Sequence, residues 1–122
     1  MKERLVVLST SDGEVGVTLS TLYRYLAVPI NGTIVAIYGS TNTDDTGLDI
    51  DLDNVTKSSA IATAIDIADK EAPGSWLTEG YGGTNAPVAI SAGDILSLDA
   101  NDAAANSTIT VHIWMLTGEQ SA

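Results

Sequence analysis

Residues Ala86 to Gly118 read APVAISAGDILSLDANDAAANSTITVHIWMLTG, and this stretch decides the fold. It contains three runs of strand-forming residues that are separated by turn residues. In the last run, Thr108 to Leu116, the side chains alternate strictly in character. Side chains on a strand alternate between its two faces, so this run predicts a strand with one core face. The residues predicted for that core face are Ile109, Val111, Ile113 and Met115.

The opposite face of the same strand carries His112, Trp114 and Leu116 beside threonines. This face is not suited to water alone, because two of its side chains are large and apolar. A strand of this kind packs its first face on the protein core, and its second face packs on another surface. We therefore expect His112, Trp114 and Leu116 to form a subunit contact.

The composition limits the function classes. The chain has 122 residues, enough for one domain, and no cysteine, which excludes disulfides, thiolate metal centres and cysteine nucleophiles. Its 16 acidic residues against five basic ones give a net charge of −11. Such a chain would be repelled by a nucleic-acid backbone and by an acidic membrane surface, so we expect neither as a partner.

The N-terminus lacks the features of a secretory signal. Leu5 to Leu8 supply only four apolar residues, where a signal peptide needs ~7–15, and no run approaches the ~18 of a transmembrane helix. We expect synthesis in the cytoplasm. The predicted organisation is an N-terminal arm or edge strand over 1–16, a β-sandwich domain over 17–118 and a tail over 119–122.

The first half of that domain predicts a hairpin. Val17 to Val28 favours a strand through its Thr, Val and Tyr content, and Pro29 ends it. Asn31-Gly32 is a tight-turn pair, and Thr33 to Ser40 is the next strand.

The middle of the chain holds one clear strand and one ambiguous segment. Leu48 to Asn54 alternates leucine or isoleucine with aspartate, which predicts a half-buried strand. Ala60 to Ala68 fits either a strand or a helix, and its spacing from the previous strand favours the strand. Asp69 to Asn85 is rich in glycine and reads as a structured loop that contains Trp76 and Tyr81.

Counting these elements gives seven or eight short strands with turns between them. That number predicts an all-β fold, an antiparallel β-sandwich of jelly-roll-like type in a single domain.

An acidic run is the first candidate site. Carboxylate oxygens suit Ca²⁺, but three carboxylates on one strand face stand ~7 Å apart, which is too far for one ion to bridge neatly. A solvated face that discourages edge-to-edge pairing is the favoured interpretation. A divalent-ion site shared with the preceding loop stays open as the alternative. The run consists of Asp44, Asp45, Asp49, Asp51 and Asp53.

Catalytic signatures are weak. His112 is the single histidine, it lies in mid-strand, and no G-x-S-x-G elbow accompanies it, so it is interpreted as a structural or interface residue. Gly80 to Thr84 lacks the lysine and the following helix of a phosphate loop. We predict no enzyme activity, no cofactor and no metal. The aromatic residues Trp76, Tyr81 and Trp114 are instead candidate interface anchors, although Trp76 and Trp114 could equally complete the core.

Several segments together carry a family resemblance. The chain resembles the head decoration, or cement, proteins of tailed bacteriophages, which are small β-sandwich proteins. The resemblance covers roughly the C-terminal two thirds and rests on general pattern without a catalytic signature. It is carried by TGLDIDLD at 46–53, Ser75-Trp76, GGTNAPV at 82–88, AGDILSLD at 92–99 and TVHIWMLTG at 110–118.

The resemblance implies a protein of the virion that sits on the capsid exterior and clamps neighbouring capsomers. The implied partners are the major capsid protein and further copies of the chain, as a homotrimer. In that setting Lys2 and Arg4 would pair with acidic capsid groups, while Leu5 to Leu8 would add to a neighbouring sheet edge. The alternative function is a receptor- or glycan-binding module of a phage fibre that uses Tyr81 or Trp76.

Overall fold

The computed structural model describes residues 2–11, 21–42, 44, 46–101 and 109–119, with side chains for 25–42, 44, 46–101 and 109–117. Within these residues nine strands and one short 3₁₀ helix, Glu79–Tyr81, are formed. The strands are β1 (Lys2–Ser11), β2 (Thr21–Ala27), β3 (Gly32–Thr41), β4 (Asp49–Asn54), β5 (Ser59–Asp66), β6 (Gly74–Leu77), β7 (Val88–Ile90), β8 (Ile95–Asn101) and β9 (Ile109–Glu119).

The strands form two antiparallel sheets. The first sheet has the order β1-β9-β3, and β7 and β6 share the far edge of β3, at Gly32–Ile34 and Ala36–Gly39 respectively. The second sheet has the order β2-β8-β4-β5. Buried residues from both sheets form one apolar core between them. The predicted antiparallel β-sandwich is confirmed.

The pairing of strands is nested along the chain. β4 pairs with β5, β3 with β6 and β7, β2 with β8, and β1 with β9. Successive pairs alternate between the two sheets. The chain therefore has the topology of one long antiparallel pair of strands that is wrapped into two layers.

β9 supplies the centre of the first sheet's core face, as its alternation predicts. Ile109, Val111, Ile113 and Met115 are each at most 1% exposed. β4 contributes Ile50, Leu52 and the adjoining Leu48 to the same core from the second sheet. Each fully buried side chain of this size contributes about 1.5–3 kcal/mol relative to exposure, so these two strands organise the fold.

The predicted hairpin around Pro29 is wrong. β2 pairs with β8 in the second sheet, whereas β3 pairs with β9 in the first, so the connection crosses between layers. The turn is bonded to the β7–β8 turn: the Val28 amide donates to the Asp94 carbonyl at 2.9 Å, and the Ala92 amide donates to Asn31 Oδ1 at 2.8 Å. These bonds hold the Asn31-Gly32 pair in an inter-sheet crossing.

The ambiguous segment 60–68 contains strand β5, which confirms the strand interpretation. Its mixed periodicity has a structural cause, because the register against β4 shifts twice. At the irregularity Ala64 has a φ of 55°, and its amide donates to Asp51 Oδ1 at 2.6 Å. A segment with such bulges does not alternate cleanly, and a helix-like spacing of Ile61 and Ile65 results.

The segment predicted as a loop, 69–85, contains a strand. β6 spans Gly74–Leu77 and pairs with β3, with Trp76 opposite Ile37. Four residues that follow a proline and begin with glycine give no periodic signal, so the pairing comes from β3 and not from local sequence.

The two ends of the chain take part in the first sheet. β1 pairs with β9 over ten positions and forms an edge of that sheet, so Lys2–Ser11 is an edge strand rather than a free arm. Residues 12–16 of the predicted N-terminal segment lie outside the described residues. β9 extends to Glu119, one residue into the segment predicted as a tail.

Candidate interaction surfaces

The outer face of the first sheet is apolar and aromatic. It is built on β3, β6 and β9, and its main side chains are Tyr38, Leu77, His112, Trp114 and Leu116, a set that we call the aromatic face. Ala36 of β3 pairs with Leu77 of β6 on one side and with Trp114 of β9 on the other. These three side chains therefore form one apolar row across the sheet. Tyr38 and His112 pair in the next row. Among the described side chains of this face none is a carboxylate.

Trp114 is positioned by an aromatic contact. Its ring lies edge to face with Tyr38, with centroids 6.4 Å apart and planes at 74°. Trp114 and Leu116 are half-buried, whereas His112 is exposed and Tyr38 is 39% exposed. Packed aromatic pairs of this kind are stable anchor points, because their geometry is fixed before any partner arrives.

The other predicted contact residues lie elsewhere. Trp76 points to the inner side of the first sheet and packs against the core, the arrangement that we weighed as the alternative to an interface role. Tyr81 is 38% exposed in the 3₁₀ helix that follows β6. Lys2 and Arg4 of β1 are the register partners of Glu119 and Thr117 of β9. The side chains of Lys2 and Arg4 lie outside the described set.

The outer face of the second sheet is acidic. Asp49, Asp51 and Asp53 of β4 are joined by Asp99 of β8, and we call these four residues the acidic face. Asp51 and Asp99 are register partners, while Asp53 pairs with Ser97. Asn101 Nδ2 donates to Asp49 Oδ1 at 2.9 Å and lies 3.4 Å from Asp51 Oδ2. The predicted solvated face of the acidic run thus includes a carboxylate from another strand.

Asp99 is the member of this face whose ionised form is disfavoured. Burial raises its pKa above the ordinary 3.8, and the nearby charges of Asp53 and Asp51 raise that pKa further. Its Oδ1 atom is buried and has no hydrogen-bond partner. Among the described side chains no Lys or Arg forms an ion pair with Asp51, Asp53 or Asp99.

A third cluster fixes one end of the sandwich. Asp94 Oδ2 accepts hydrogen bonds from the Ser91 amide and Asn54 Nδ2, both at 2.9 Å, and lies 3.1 Å from Lys57 Nζ. The Ser91 and Asn54 hydrogen bonds, followed by that of Lys57, hold the pKa of Asp94 below 3.8 against the opposing effect of burial. This network ties the β4–β5 turn to the β7–β8 turn, so the loops at this end are preorganised.

The acidic run gives no metal centre in the described part of the chain. No group of three or more His, Asp or Glu side chains there has the arrangement needed to hold an ion. The Asp44 carboxylate accepts the Lys70 amide at 3.0 Å, which joins two loops, and Asp45 lies outside the described residues. No helix in the described ranges is long and apolar enough to cross a membrane.

Sequence reasoning missed two aromatic residues as surface elements. Tyr38 belongs to the aromatic face. Its position next to Ile37 in an alternating strand places it on the side opposite to that core residue, and this was the signal that could have identified it. Tyr25, which is 68% exposed on β2, lies on the side of the acidic face. Its exposure could not be found from sequence, because both faces of the β2 segment are mixed in character.

Comparison with known proteins gives likenesses to solved structures only. No protein-family model matches the chain, and no curated protein matches it. Among solved structures, the chain is similar to a chain of the cyanophage Pam1 capsid asymmetric unit, with a TM-score of 0.54 and 10% sequence identity. The match covers 95% of this chain and 85% of that chain. At this identity the likeness shows a shared fold.

Proposed function

We propose that this protein is a structural, non-enzymatic component of a bacteriophage virion. In this role it decorates the capsid exterior, contacts the major capsid protein and joins neighbouring capsomers as a homotrimer. The aromatic face forms the contact between copies of the chain.

The fold supports the proposal in two ways. The nested pairing of strands, alternating between two sheets, supports a jelly-roll-like sandwich, and jelly rolls recur in viral capsid domains. The structural likeness to a cyanophage capsid chain extends over nearly the whole of this chain. Fold alone does not assign function, so the surface chemistry carries the proposal.

The single observation that carries it is the unequal character of the two outer faces. A chain with a net charge of −11 repels its own copies wherever its carboxylates meet. The aromatic face consists of Tyr38, Leu77, His112, Trp114 and Leu116, and none of these five is a carboxylate, so contact between copies through these residues avoids that repulsion. Half-exposed aromatic groups with fixed geometry are the usual centres of protein contacts.

The oligomeric state of the purified full chain tests the self-contact. We expect a trimer in sedimentation equilibrium, and we expect Trp114→Ala to shift the population toward monomer. Tyr25→Ala is the control, because it removes a smaller but more exposed aromatic ring from the opposite sheet. A wild-type monomer at all accessible concentrations, or equal dissociation in both variants, would contradict the proposed interface.

Binding to particles tests the capsid role. Purified protein is mixed with intact capsids that lack it and is separated by sedimentation. We expect saturable co-sedimentation, since many modest contacts on one lattice act together. Protein that stays in the supernatant at all concentrations would refute capsid decoration even if the trimer forms.

Glycan binding by a phage fibre is the second candidate. A cavity of about 470 Å³ lined by residues 78–80 and 84–87 lies in the segment that contains Tyr81. Thr78 and Asn85 already bond backbone carbonyls there, and Trp76 packs on the core. Tyr81 does not line the cavity, but it follows the lining residue Gly80 and is 38% exposed, so it is the candidate stacking group of this segment. A glycan-array signal that is lost in Tyr81→Ser would favour this candidate over decoration.

A further inference from the structure

The described strands leave four sheet edges, two on each sheet, and both edges of the second sheet carry features that hinder the addition of a further strand. At one edge, β5 has two register shifts against β4, and Ala64 there has a φ of 55°. At the other edge, β2 carries Arg24 at its centre. Bulges and charges of this kind keep an edge strand from pairing with another chain.

The far edge of the first sheet is divided between two short strands. It consists of β6 and β7, which have four and three residues and pair with separate parts of β3. Each is directly preceded by a proline, Pro73 and Pro87, which has no amide hydrogen to donate. Short edge strands next to proline offer little backbone to a partner strand.

The fourth edge, β1, lacks these features over most of its length. All ten of its residues pair with β9 in one unbroken register, and no described strand lies on its other side. Its residues 5–11, LVVLSTS, contain no charge, no proline and no glycine. A strand that is paired on one side only presents alternate N–H and C=O groups on the other side. The outer edge of β1 is therefore a long and regular template for strand addition.

The order of residues along β1 favours a second copy of the chain as the added strand. Its charged residues, Lys2, Glu3 and Arg4, all lie at one end. When a two-fold axis relates two antiparallel strands, the start of one strand lies beside the end of the other. The charged end of each β1 then lies beside the uncharged, hydroxyl-rich end of its partner. The apolar residues 5–8 of the two copies meet at the centre.

The local charge is also compatible with contact between copies. β1 and its neighbour β9 together carry two bases, Lys2 and Arg4, and two acids, Glu3 and Glu119, so their net charge is zero in a chain of −11. Two copies therefore meet along this edge without an excess of like charge. The contact is closed, because each edge covers the other and neither is left to bind a third copy.

We propose that the outer edge of β1 pairs antiparallel with β1 of a second copy about a two-fold axis, so that the first sheets of two copies form one continuous sheet. This contact uses backbone hydrogen bonds at a sheet edge and is separate from the aromatic face, which uses side chains. It does not depend on the proposed capsid role. Where both contacts form, the edge pairing links one trimer to the next.

Amide hydrogen exchange of the ¹⁵N-labelled full chain, recorded at increasing protein concentration, tests the edge pairing. In dilute protein we expect the amides of β1 to alternate between a slow set bonded to β9 and a fast set on the outer edge. As the concentration rises, exchange of the fast set should slow by at least about fivefold, because the added strand supplies acceptors for these amides. The amides on the outer edge of β5 are the internal control and should not slow to the same extent. A fast set whose exchange does not depend on concentration, or equal slowing at β5, would overturn the proposal.

A proline on the outer edge provides a variant with a control at the same residue. Ser9 and Thr10 are adjacent, so one of them carries an outward amide, and the exchange pattern identifies which. Proline at that residue removes a donor from the outer edge without removing a bond to β9, and it should abolish the concentration-dependent slowing. Alanine at the same residue keeps the amide and should leave the slowing unchanged. Equal loss with alanine and proline would indicate a side-chain contact and would contradict strand pairing.

The edge pairing is tested separately from the aromatic face and from the capsid role. Trp114→Ala should keep the concentration-dependent slowing on β1, and slowing that disappears in this variant would belong to the aromatic face and would overturn the proposal. The wild-type exchange pattern decides the question even if the proline variant does not fold. No capsid is present in the experiment, so a failed edge pairing leaves the decoration proposal intact, and a failed co-sedimentation leaves the edge pairing intact.

Discussion

Two glycines decide how closely the two sheets can pack, and alanine at either position tests the sandwich directly. Gly39 of β3 and Gly74 of β6 are register partners in the first sheet. A Cβ atom on Gly39 would lie 2.7 Å from Ile50 Cδ1 and 3.1 Å from Ile67 Cγ2. A Cβ on Gly74 would collide with the Asp66 carbonyl oxygen and would lie 2.9 Å from Ile67 Cγ2.

The expected cost follows from what each Cβ meets. At Gly39 the obstacle is the end of the Ile50 side chain, which is fully buried and can shift only by repacking, so Gly39→Ala should destabilise the fold by about 1–3 kcal/mol. At Gly74 the obstacle is backbone, which cannot move without disturbing the end of β5. Gly74→Ala should therefore cost more than about 3 kcal/mol. Gly80→Ala, with nothing within 4 Å, is the control and should change stability by less than about 0.5 kcal/mol.

Urea unfolding followed by tryptophan fluorescence measures these differences. All variants are compared at one protein concentration, because self-association adds to apparent stability. We expect the urea concentration at the unfolding midpoint to be highest for Gly80→Ala, lower for Gly39→Ala and lowest for Gly74→Ala. If Gly39→Ala unfolds at the same midpoint as Gly80→Ala, β3 does not pack on β4 as described, and the reasoning from inter-sheet contact is refuted.

Three further predictions concern the core and two carboxylates. Ile113→Ala empties a site that is 1% exposed and should lower the free energy of unfolding by about 2–5 kcal/mol in urea titration. The raised pKa of Asp99 gives stability that is present below pH 3.8 and is lost as the pH rises through the pKa of the folded state. Asp99→Asn should therefore raise the melting temperature at neutral pH. An equal gain in melting temperature well below pH 3.8 would contradict this. The lowered pKa of Asp94 has the opposite sign, so its contribution is present above pH 3.8 and is lost as the pH falls through the folded pKa. Calorimetry should show Asp94→Ala less stable than wild type at neutral pH, with a difference that narrows in acid.

Part of the candidate contact surface was predictable from β9 alone. The alternation of Thr108 to Leu116 assigned Ile113 and Met115 to the core and grouped His112, Trp114 and Leu116 on the other side. Trp76 was harder, because a lone tryptophan in a glycine-rich segment has no periodic neighbours to fix its direction. Its placement against the core follows from the pairing of β6 with β3.

The neighbours of the acidic run on the second sheet could not be predicted from the sequence. Tyr25, Ser97 and Asp53 lie on three strands that are distant in sequence, and only the registers of β2 with β8 and of β8 with β4 bring them together. The same holds for Asp99, whose charge neighbours on β4 are more than forty positions away along the chain.

By itself, the sequence determined the all-β class, the inward faces of β4 and β9, and the acidic character of the chain. Alternation and composition are local or additive properties, so they can be read without knowing which strands pair. Only the tertiary structure decided that β2 and β3 separate into different sheets and that Tyr38 meets Trp114. The same structure placed Tyr25 and Ser97 beside Asp53 on the acidic side of the second sheet. The physical reason is that strand pairing in this fold joins segments far apart in the chain, and their partners are selected by burial of the common core.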